Sequence, residues 1–200
     1  MEIGLFPLGI VLLPTERIPL HIFEERYREL IGECLEHGTE FGLLLADDDG
    51  MRRTGTRAAV VEVVRRFPDG RLDILVEGGE RFRLEALTVG RSFMTGEVIP
   101  IEDAGEDVPE PPEVARCVEA YHRLADAAGE AADDLDEFGS IAFQVAARVD
   151  LPTGVKQELL ENLSERDRLG RVASLLEELE PAVRRRRLAE DRASGDGHVP

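Results

Sequence analysis

Three prolines interrupt the apolar N-terminal segment and restrict how it can fold. Pro7, Pro14 and Pro19 divide residues 5–27, LFPLGIVLLPTERIPLHIFEERY, into short apolar runs. Proline lacks a backbone N–H and is tolerated in strands at edges and first positions. The segment therefore predicts two short strands joined by a loop, followed at Phe23 by the charged start of a helix.

The first hundred residues carry mostly strand patterns. From Phe23 to Leu35, apolar residues recur at three- and four-residue intervals, which predicts a helix with one buried face. Pro68-Asp69-Gly70 separates two β-branched runs and predicts a hairpin. Apolar or alternating runs predict strands at residues 3–6, 19–22, 41–46, 58–67, 72–76, 81–87 and 93–101. Several short strands with one helix favour a small, partly closed barrel.

The composition changes at an acidic, proline-rich stretch, after which the pattern is helical. Four helices are predicted there, with apolar stripes starting near Val114, Phe138, Pro152 and Leu169. We therefore expect an α+β chain. Its predicted parts are a β-rich subdomain at 1–102, a linker or loop at 103–112, an α-helical bundle at 113–190 and a disordered tail at 191–200.

The net charge of −18 is the strongest global signal in the sequence. An acidic surface repels nucleic-acid phosphates and anionic membranes, since both bind through lysine and arginine. It attracts basic segments of partner proteins. Lys156 is the single lysine, so lysine-rich binding patches are excluded.

The cysteines and the apolar runs indicate a cytoplasmic protein. Cys34 and Cys117 lie among apolar neighbours at helical spacing and read as buried free thiols rather than a disulfide framework. No apolar run approaches the ~20 residues of a membrane span. The N-terminus lacks the basic region of a secretory signal.

The sequence contains no recognisable catalytic or metal-binding motif. Its four histidines are scattered, and CxxC, GxxxxGK[ST] and GxSxG patterns are absent. Residues 47–50, DDDG, lack the alternating ligands of a calcium loop and read as a solvated turn. We expect no catalytic residues, no cofactor and no metal.

Several segments, in order and spacing, resemble one family. These are residues 5–8, 20–27, 41–44, 55–56, 59–71, 76–82, 151–152, 156–161 and 168–169. Together they resemble the N-terminal substrate-recognition domain of Lon proteases over about residues 3–190. The resemblance implies a PUA-like β pseudo-barrel followed by an all-α helical bundle. It also implies a stand-alone member that lacks the ATPase and protease domains and is not an enzyme.

The resemblance favours a protein- or peptide-binding module whose partners are unfolded or extended polypeptides, including basic clients. Ile10, Val11, Leu12 and Leu13 are the candidate peptide-binding residues if their loop is exposed; the alternative is that they are core.

Two other functions remain open. PUA-like folds often bind RNA, and the arginine pairs at 52–53 and 65–66 would serve that role against an acidic average. The third hypothesis is a small-molecule binder in a groove between barrel and bundle, for which the sequence offers no constellation of residues. Client identity and oligomeric state are not fixed by the sequence.

Overall fold

A computed structural model describes residues 1–105, 108–136 and 138–195 of the chain. It contains two units. The first combines residues 1–103 with 146–163, and the second combines 104–145 with the residues from Ser164 onward. Residues 146–163, which the sequence analysis placed in the helical bundle, thus group with the strands. Of the predicted linker and tail, residues 106, 107 and 196–200 lie outside the described residues, while residues 191–195 continue the last helix.

The first unit is built on a six-stranded sheet that closes on itself. The strands are β1 (Glu2–Leu8), β2 (Arg17–Ile22), β3 (Phe41–Asp47), β4 (Gly50–Arg66), β5 (Leu72–Thr88) and β6 (Thr95–Pro100). Their order is β2-β5-β4-β3-β1-β6, and an additional β5–β6 pairing closes a ring of five strands. The predicted α+β class and the partly closed barrel are therefore confirmed.

The hairpin at the centre of this sheet is longer than the sequence pattern indicated. β4 and β5 each contain 17 residues. The turn predicted at residues 68–70 is confirmed, but the strands predicted at 72–76 and 81–87 are one continuous strand. Gly78 and Gly79 lie inside it, where the register with β4 shifts between Thr56 and Ala58. The turn at Asp47–Gly50 is also present, with the Asp49 N–H donating to Asp47 Oδ1 over 3.0 Å.

One helix, α1 (Glu25–His37), supplies much of the core beside the ring. It buries Tyr27, Leu30, Ile31 and Cys34, and the Tyr27 ring stacks on Phe6 with centroids 3.9 Å apart. Gly38 ends the helix in the left-handed conformation, which glycine adopts without strain. The chain then enters β3 after only two more residues.

Of the two alternatives for residues 10–13, an exposed loop or part of the core, the core alternative describes three of the four residues. Val11, Leu12 and Leu13 are 5%, 1% and 0% exposed, whereas Ile10 is 38% exposed. Polar contacts hold the loop against the barrel. Thr56 Oγ1 donates to the Leu12 carbonyl over 2.6 Å, and the Leu13 N–H donates to Glu16 Oε2 over 2.9 Å. A peptide-binding role in this loop remains a prediction for Ile10 alone.

The helix α4 (Thr153–Glu161) is attached to the barrel by polar contacts. Lys156 Nζ lies 2.5 Å from Glu16 Oε1, and Gln157 Nε2 donates to the Thr54 carbonyl over 3.2 Å. At the other end of the helix, Arg81 donates to the carbonyls of Leu160 and Asn162 over 3.0 and 2.8 Å. Because the last carbonyls of a helix have no intrahelical donor, this buried arginine caps α4.

The second unit contains α2 (Pro111–Ala128), most of α3 (Ile141–Ala146) and α5 (Glu165–Gly195). α2 and α5 are joined by Arg116, whose guanidinium donates to both carboxylate oxygens of Glu177 over 3.1 and 2.7 Å. Arg168 is fully buried, pairs with Glu165 at 2.6 Å and lies 4.4 Å from the Phe143 ring. Within the described ranges, no helix is long and apolar enough to cross a lipid bilayer.

We predict that Gly78→Ala destabilises the first unit while the neighbouring change Gly79→Ala does not. A Cβ at Gly78 would lie 2.1 Å from the Leu13 carbonyl oxygen, whereas at Gly79 the nearest atom is 3.4 Å away. Overpacking of this kind costs about 1–3 kcal/mol. Urea unfolding of the two variants measures the difference. If the two variants were equally stable, the stability of the first unit would not depend on the close approach of the Leu13 carbonyl to Gly78 of β5.

Cys117 should make the protein less stable in alkaline solution. Its thiol is fully buried, and burial, followed by the nearby Glu165 carboxylate, raises its pKa from 9.0 to about 12. The unfolded chain therefore loses this proton at a pH where the folded chain keeps it. The stabilisation is complete below pH 9 and declines between pH 9 and 12.

The expected loss of unfolding free energy attributable to Cys117 is about 1.4 kcal/mol between pH 8 and pH 10. In urea unfolding at the two pH values, Cys117→Ala should lose about 1.4 kcal/mol less unfolding free energy than the wild type, whereas the control Cys34→Ala, whose buried thiol also has a raised pKa, should keep the loss that Cys117 causes. The same pH dependence in all three proteins would contradict the assignment.

Candidate functional site

One cleft of the first unit lies where β3 begins, next to the C-terminal end of α1. β3 pairs with β4 only as far as Phe41, which lies opposite Ala58. It pairs with β1 at Leu5–Leu8. Among the described residues, Glu2–Gly4 pair only with β6, and Ala59–Arg66 pair only with β5. Residues 38–40 lead into β3 here, and the cleft beside them, which we call the strand gap, is lined by Glu2–Gly4 on one side and by Ala59 and Val60 on the other.

The strand gap is part of a cleft of about 950 Å³. Its apolar lining includes buried groups from α1 and from the loop before β6, namely Leu30, Cys34 and Phe93. Ile3, Gly4, Ala59 and Val60 line the strand edges and are half-buried. This volume is typical of ligand-binding clefts, which combine apolar walls with a few polar groups.

Two arginine–glutamate clusters form the polar rim. Arg57 lies 2.7 Å from Glu40 and 3.2 Å from Glu80. These two ion pairs connect β4 to the residue before β3 and to β5. Arg91 forms an ion pair with Glu33 of α1. Both rim arginines are thus engaged by carboxylates of the protein, so they are poor anchors for a small anionic ligand.

The loop at residues 89–94 holds Phe93 in the cleft wall. Arg91 lies 4.6 Å from the centroid of the Phe93 ring while it pairs with Glu33. Ser92 Oγ donates to Glu29, which is also on α1. These contacts fasten the loop to the helix. These side-chain contacts position the wall of the cleft together with a backbone hydrogen bond, in which the Leu5 N–H of β1 donates to the Met94 carbonyl over 2.8 Å.

Cys34 lines the cleft, and its thiol is buried there. It is 5% exposed. Burial is the main influence that raises its pKa, and a hydrogen bond with the Thr39 side chain opposes this effect. A protonated, covered thiol is a poor nucleophile. Among the residues that the structure describes, no group of three or more His, Cys, Asp or Glu side chains is placed to hold a metal ion.

The arginine pairs considered for RNA binding are not brought together. Arg52 faces the β3–β4 turn, where it lies 3.6 Å from Asp47 and 3.8 Å from Asp49. Arg65 is near the other end of the same strand, with its guanidinium 4.5 Å from the Phe67 ring. Almost the whole length of β4 separates them, so they do not form one basic surface.

The residues of the strand gap could not be identified from the sequence. Ala59 and Val60 read as the interior of a strand, and nothing in their pattern shows that β3 begins opposite Ala58. Glu2–Gly4 read as an ordinary first strand. The one available signal was the unequal length of neighbouring β-rich runs, which becomes informative only when the register is known.

The sequence profile of the ATP-dependent protease La (LON) substrate-binding domain matches residues 2–178. The chain belongs to this family. Lon protease from Brucella abortus is 29% identical to it, in a match that covers 84% of this chain and 22% of that protease. The chain thus spans about a fifth of the length of the curated relatives it matches.

Solved structures of bacterial Lon N-terminal domains have the same fold. A Lon N-terminal domain protein from Xanthomonas campestris is 26% identical and aligns with a TM-score of 0.67, covering 87% of this chain and 98% of that chain. The N-terminal domain of Lon protease from the Mycobacterium avium complex is 16% identical and aligns with a TM-score of 0.69, covering 88% and 98%. The second likeness concerns the fold alone.

We predict that Arg91→Ala opens the cleft and speeds alkylation of Cys34 by iodoacetamide several-fold. Loss of the arginine removes both the tie to Glu33 and the contact with the Phe93 ring. Arg65→Ala is the matched control, because Arg65 stacks on Phe67 at a similar distance but outside the cleft. Mass spectrometry of the Cys34 peptide over time measures the rate. An unchanged rate in Arg91→Ala would mean that the loop does not cover the thiol.

Proposed function

We propose that this protein is a non-catalytic recognition module that binds extended or unfolded polypeptide in the strand gap. The observation that carries the proposal is the cleft itself, in which an apolar lining and two half-buried strand edges meet in a member of a substrate-binding family. An unfolded chain offers both apolar side chains and unpaired backbone groups. A folded partner has already buried most of these.

The charge of the chain favours clients with basic flanking residues. A net charge of −18 creates a field that attracts cations over about 8–10 Å at physiological salt. This contribution adds to apolar contact and does not replace it. The cytoplasm remains the expected compartment, supported by the two free, buried cysteines.

Binding should be measurable with a defined probe, a fluorescein-labelled 12-residue peptide of alternating valine and threonine with two lysines at each end. A short apolar contact of this kind is expected to give a dissociation constant on the order of 10–100 μM, or about −5.5 to −7 kcal/mol. A version with glutamates in place of the lysines should bind more weakly at low salt. The two affinities should converge in 0.5 M NaCl, because salt screens only the charge contribution.

Ala59→Trp should weaken binding of the lysine-flanked peptide at least tenfold, because Ala59 lines the cleft at the edge of β4. Ala86→Trp is the matched control: it places the same bulk at an exposed position of β5 outside the cleft lining. Fluorescence anisotropy gives the affinities, and circular dichroism melting checks the fold of each variant. If neither this peptide nor casein binds the wild type at 1 mM, the proposed function fails.

A further inference from the structure

We infer that an exposed group of rings and guanidiniums at the tip of the β4–β5 hairpin docks a short polypeptide segment that carries aromatic residues beside carboxylates. We call this group the hairpin cluster. Its members are His21, Phe23, Arg65, Phe67 and Arg71. All five lie outside the lining of the strand gap. The inference therefore concerns a second surface of the first unit and does not depend on the proposed function.

Phe23 gives the hairpin cluster an exposed ring. Its spacing from Tyr27 and Leu30 predicted a place on the buried face of the first helix, but α1 begins only at Glu25 and Phe23 is 61% exposed. The Phe23 ring stacks beside that of His21, with centroids 6.1 Å apart. A large apolar side chain that stays in contact with water gains free energy when a partner covers it. Phe23 is therefore suited to be the apolar anchor of an interface.

The fold holds the hairpin cluster in place without a partner. His21 Nδ1 lies 2.5 Å from Asp73 Oδ1, and the His21 ring meets the Phe67 ring edge to face, with centroids 5.8 Å apart. The turn itself is fastened to α1, because Arg28 Nη1 donates to the Asp69 carbonyl over 2.8 Å. A surface whose side chains are already ordered loses less conformational entropy when a partner binds.

Arg65 supplies a charge that the protein does not neutralise locally. Its guanidinium stacks over the Phe67 ring, with Cζ 4.5 Å from the ring centroid. It forms no ion pair within the residues that the structure describes. A guanidinium that stacks by its face keeps the N–H groups of its plane free, and two of them fit the two oxygens of a carboxylate.

The aspartates of the hairpin tip are already engaged by other cations of the protein. Asp73 lies opposite Arg65 in the strand pairing but has its carboxylate 2.5 Å from His21. Asp69, in the turn, pairs with Arg71 at 2.8 Å. The acceptor that Arg65 lacks must therefore come from another molecule, and a negatively charged acceptor forms the strongest hydrogen bonds with a guanidinium.

A polypeptide segment meets both requirements better than a nucleic acid does. An aromatic residue covers Phe23 while a nearby aspartate or glutamate of the same segment binds Arg65. A nucleic acid needs several cations along its phosphates, and the net charge of −18 repels a chain of phosphates. The partner is accordingly a segment with aromatic and acidic residues side by side. It differs from the lysine-flanked clients assigned to the strand gap.

The test uses a short fluorescein-labelled peptide in which two tryptophans alternate with three aspartates between glycine–serine ends. We expect it to bind the protein with a dissociation constant on the order of 10–100 μM. A second peptide has asparagines in place of the aspartates, and a third has serines in place of the tryptophans. Both should bind at least about fivefold more weakly, because one lacks the charge for Arg65 and the other lacks the rings for Phe23.

Two pairs of variants locate the site. Phe23→Ala should weaken binding of the aspartate peptide at least about fivefold, whereas Phe138→Ala, which removes an even more exposed ring from the second unit, should not change it. Arg65→Ala should weaken binding of the aspartate peptide but not of the asparagine peptide, since the lost interaction needs both charges. Arg66→Ala is its control, because Arg66 lies opposite Leu72 on the other face of β4. Fluorescence anisotropy gives the affinities, and circular dichroism melting checks each fold.

Three results with the peptides would overturn the inference. The first is that the wild type fails to bind the aspartate peptide at about 1 mM. The second is an unchanged affinity in Phe23→Ala or in Arg65→Ala, which would place the peptide elsewhere. The third is equal weakening by Ala59→Trp, which would place it in the strand gap. The lysine-flanked peptide should bind Phe23→Ala as it binds the wild type, so the proposed function is tested separately.

Two further results would assign the hairpin cluster to another occupant. If oligouridine displaces the aspartate peptide and binds more tightly, with an affinity that falls steeply as salt is added, the occupant is a nucleic acid. If sedimentation shows a dimer of the wild type that Arg65→Ala abolishes, the occupant is an acidic segment of a second copy of this chain. Either result would overturn the assignment to a segment of a partner protein.

Discussion

The mismatch in length between the central hairpin and its neighbours shapes the whole first unit. β4 and β5 each run for 17 residues, while β1, β2, β3 and β6 have six or seven. No single short strand can cover the edge of either long one. β5 therefore pairs with β2 along its first part and with β6 along its second, and the β5–β6 pairing closes the ring. β4 pairs with β3 over one part of its length and keeps an open edge over the rest.

The open edge of β4 is protected, but only in part. In native sheets, bulges, prolines and charged residues prevent an exposed edge strand from pairing with another chain. β4 has register shifts on both sides of Val63 and carries Arg65 and Arg66 near its end, and the outer strand β2 contains Pro19. Ala59 and Val60 lie beyond the last pair with β3, between the register shift at Thr56 and Ala58 and the shift at Val60 and Glu62. This portion of the edge lines the apolar cleft.

Buried charge fixes the elements around the ring. Glu16 is 6% exposed and satisfies both the Leu13 N–H and Lys156, so one carboxylate holds the N-terminal loop and α4. Arg81 is 5% exposed, donates hydrogen bonds to the last carbonyls of α4 and forms an ion pair with Asp103. Buried charges are tolerated only with such partners. They explain why α4 groups with the strands although it follows two helices of the other unit in the chain.

The sequence determines local structure here better than it determines pairing. The hairpin at residues 68–70, the first helix and the α+β class were readable because turn residues and apolar periodicity act locally. Which of residues 10–13 are buried could not be derived from the sequence. The burial of residues 11–13 depends on Thr56, Gly78 and Glu16, which are brought to the loop by the fold. The strand gap was hidden for the same reason: the place where β3 begins relative to β4 depends on register and not on composition.

The length of β3 sets how much of β4 is left without a second strand partner. β3 pairs with β4 only up to Phe41, opposite Ala58, and beyond that pair the described residues of β4 pair with β5 alone. A long regular edge would invite pairing between copies of the protein. The register shifts between Val60 and Glu62 and between Val63 and Arg65 interrupt this edge, so β4 keeps its length without offering a continuous template to another strand.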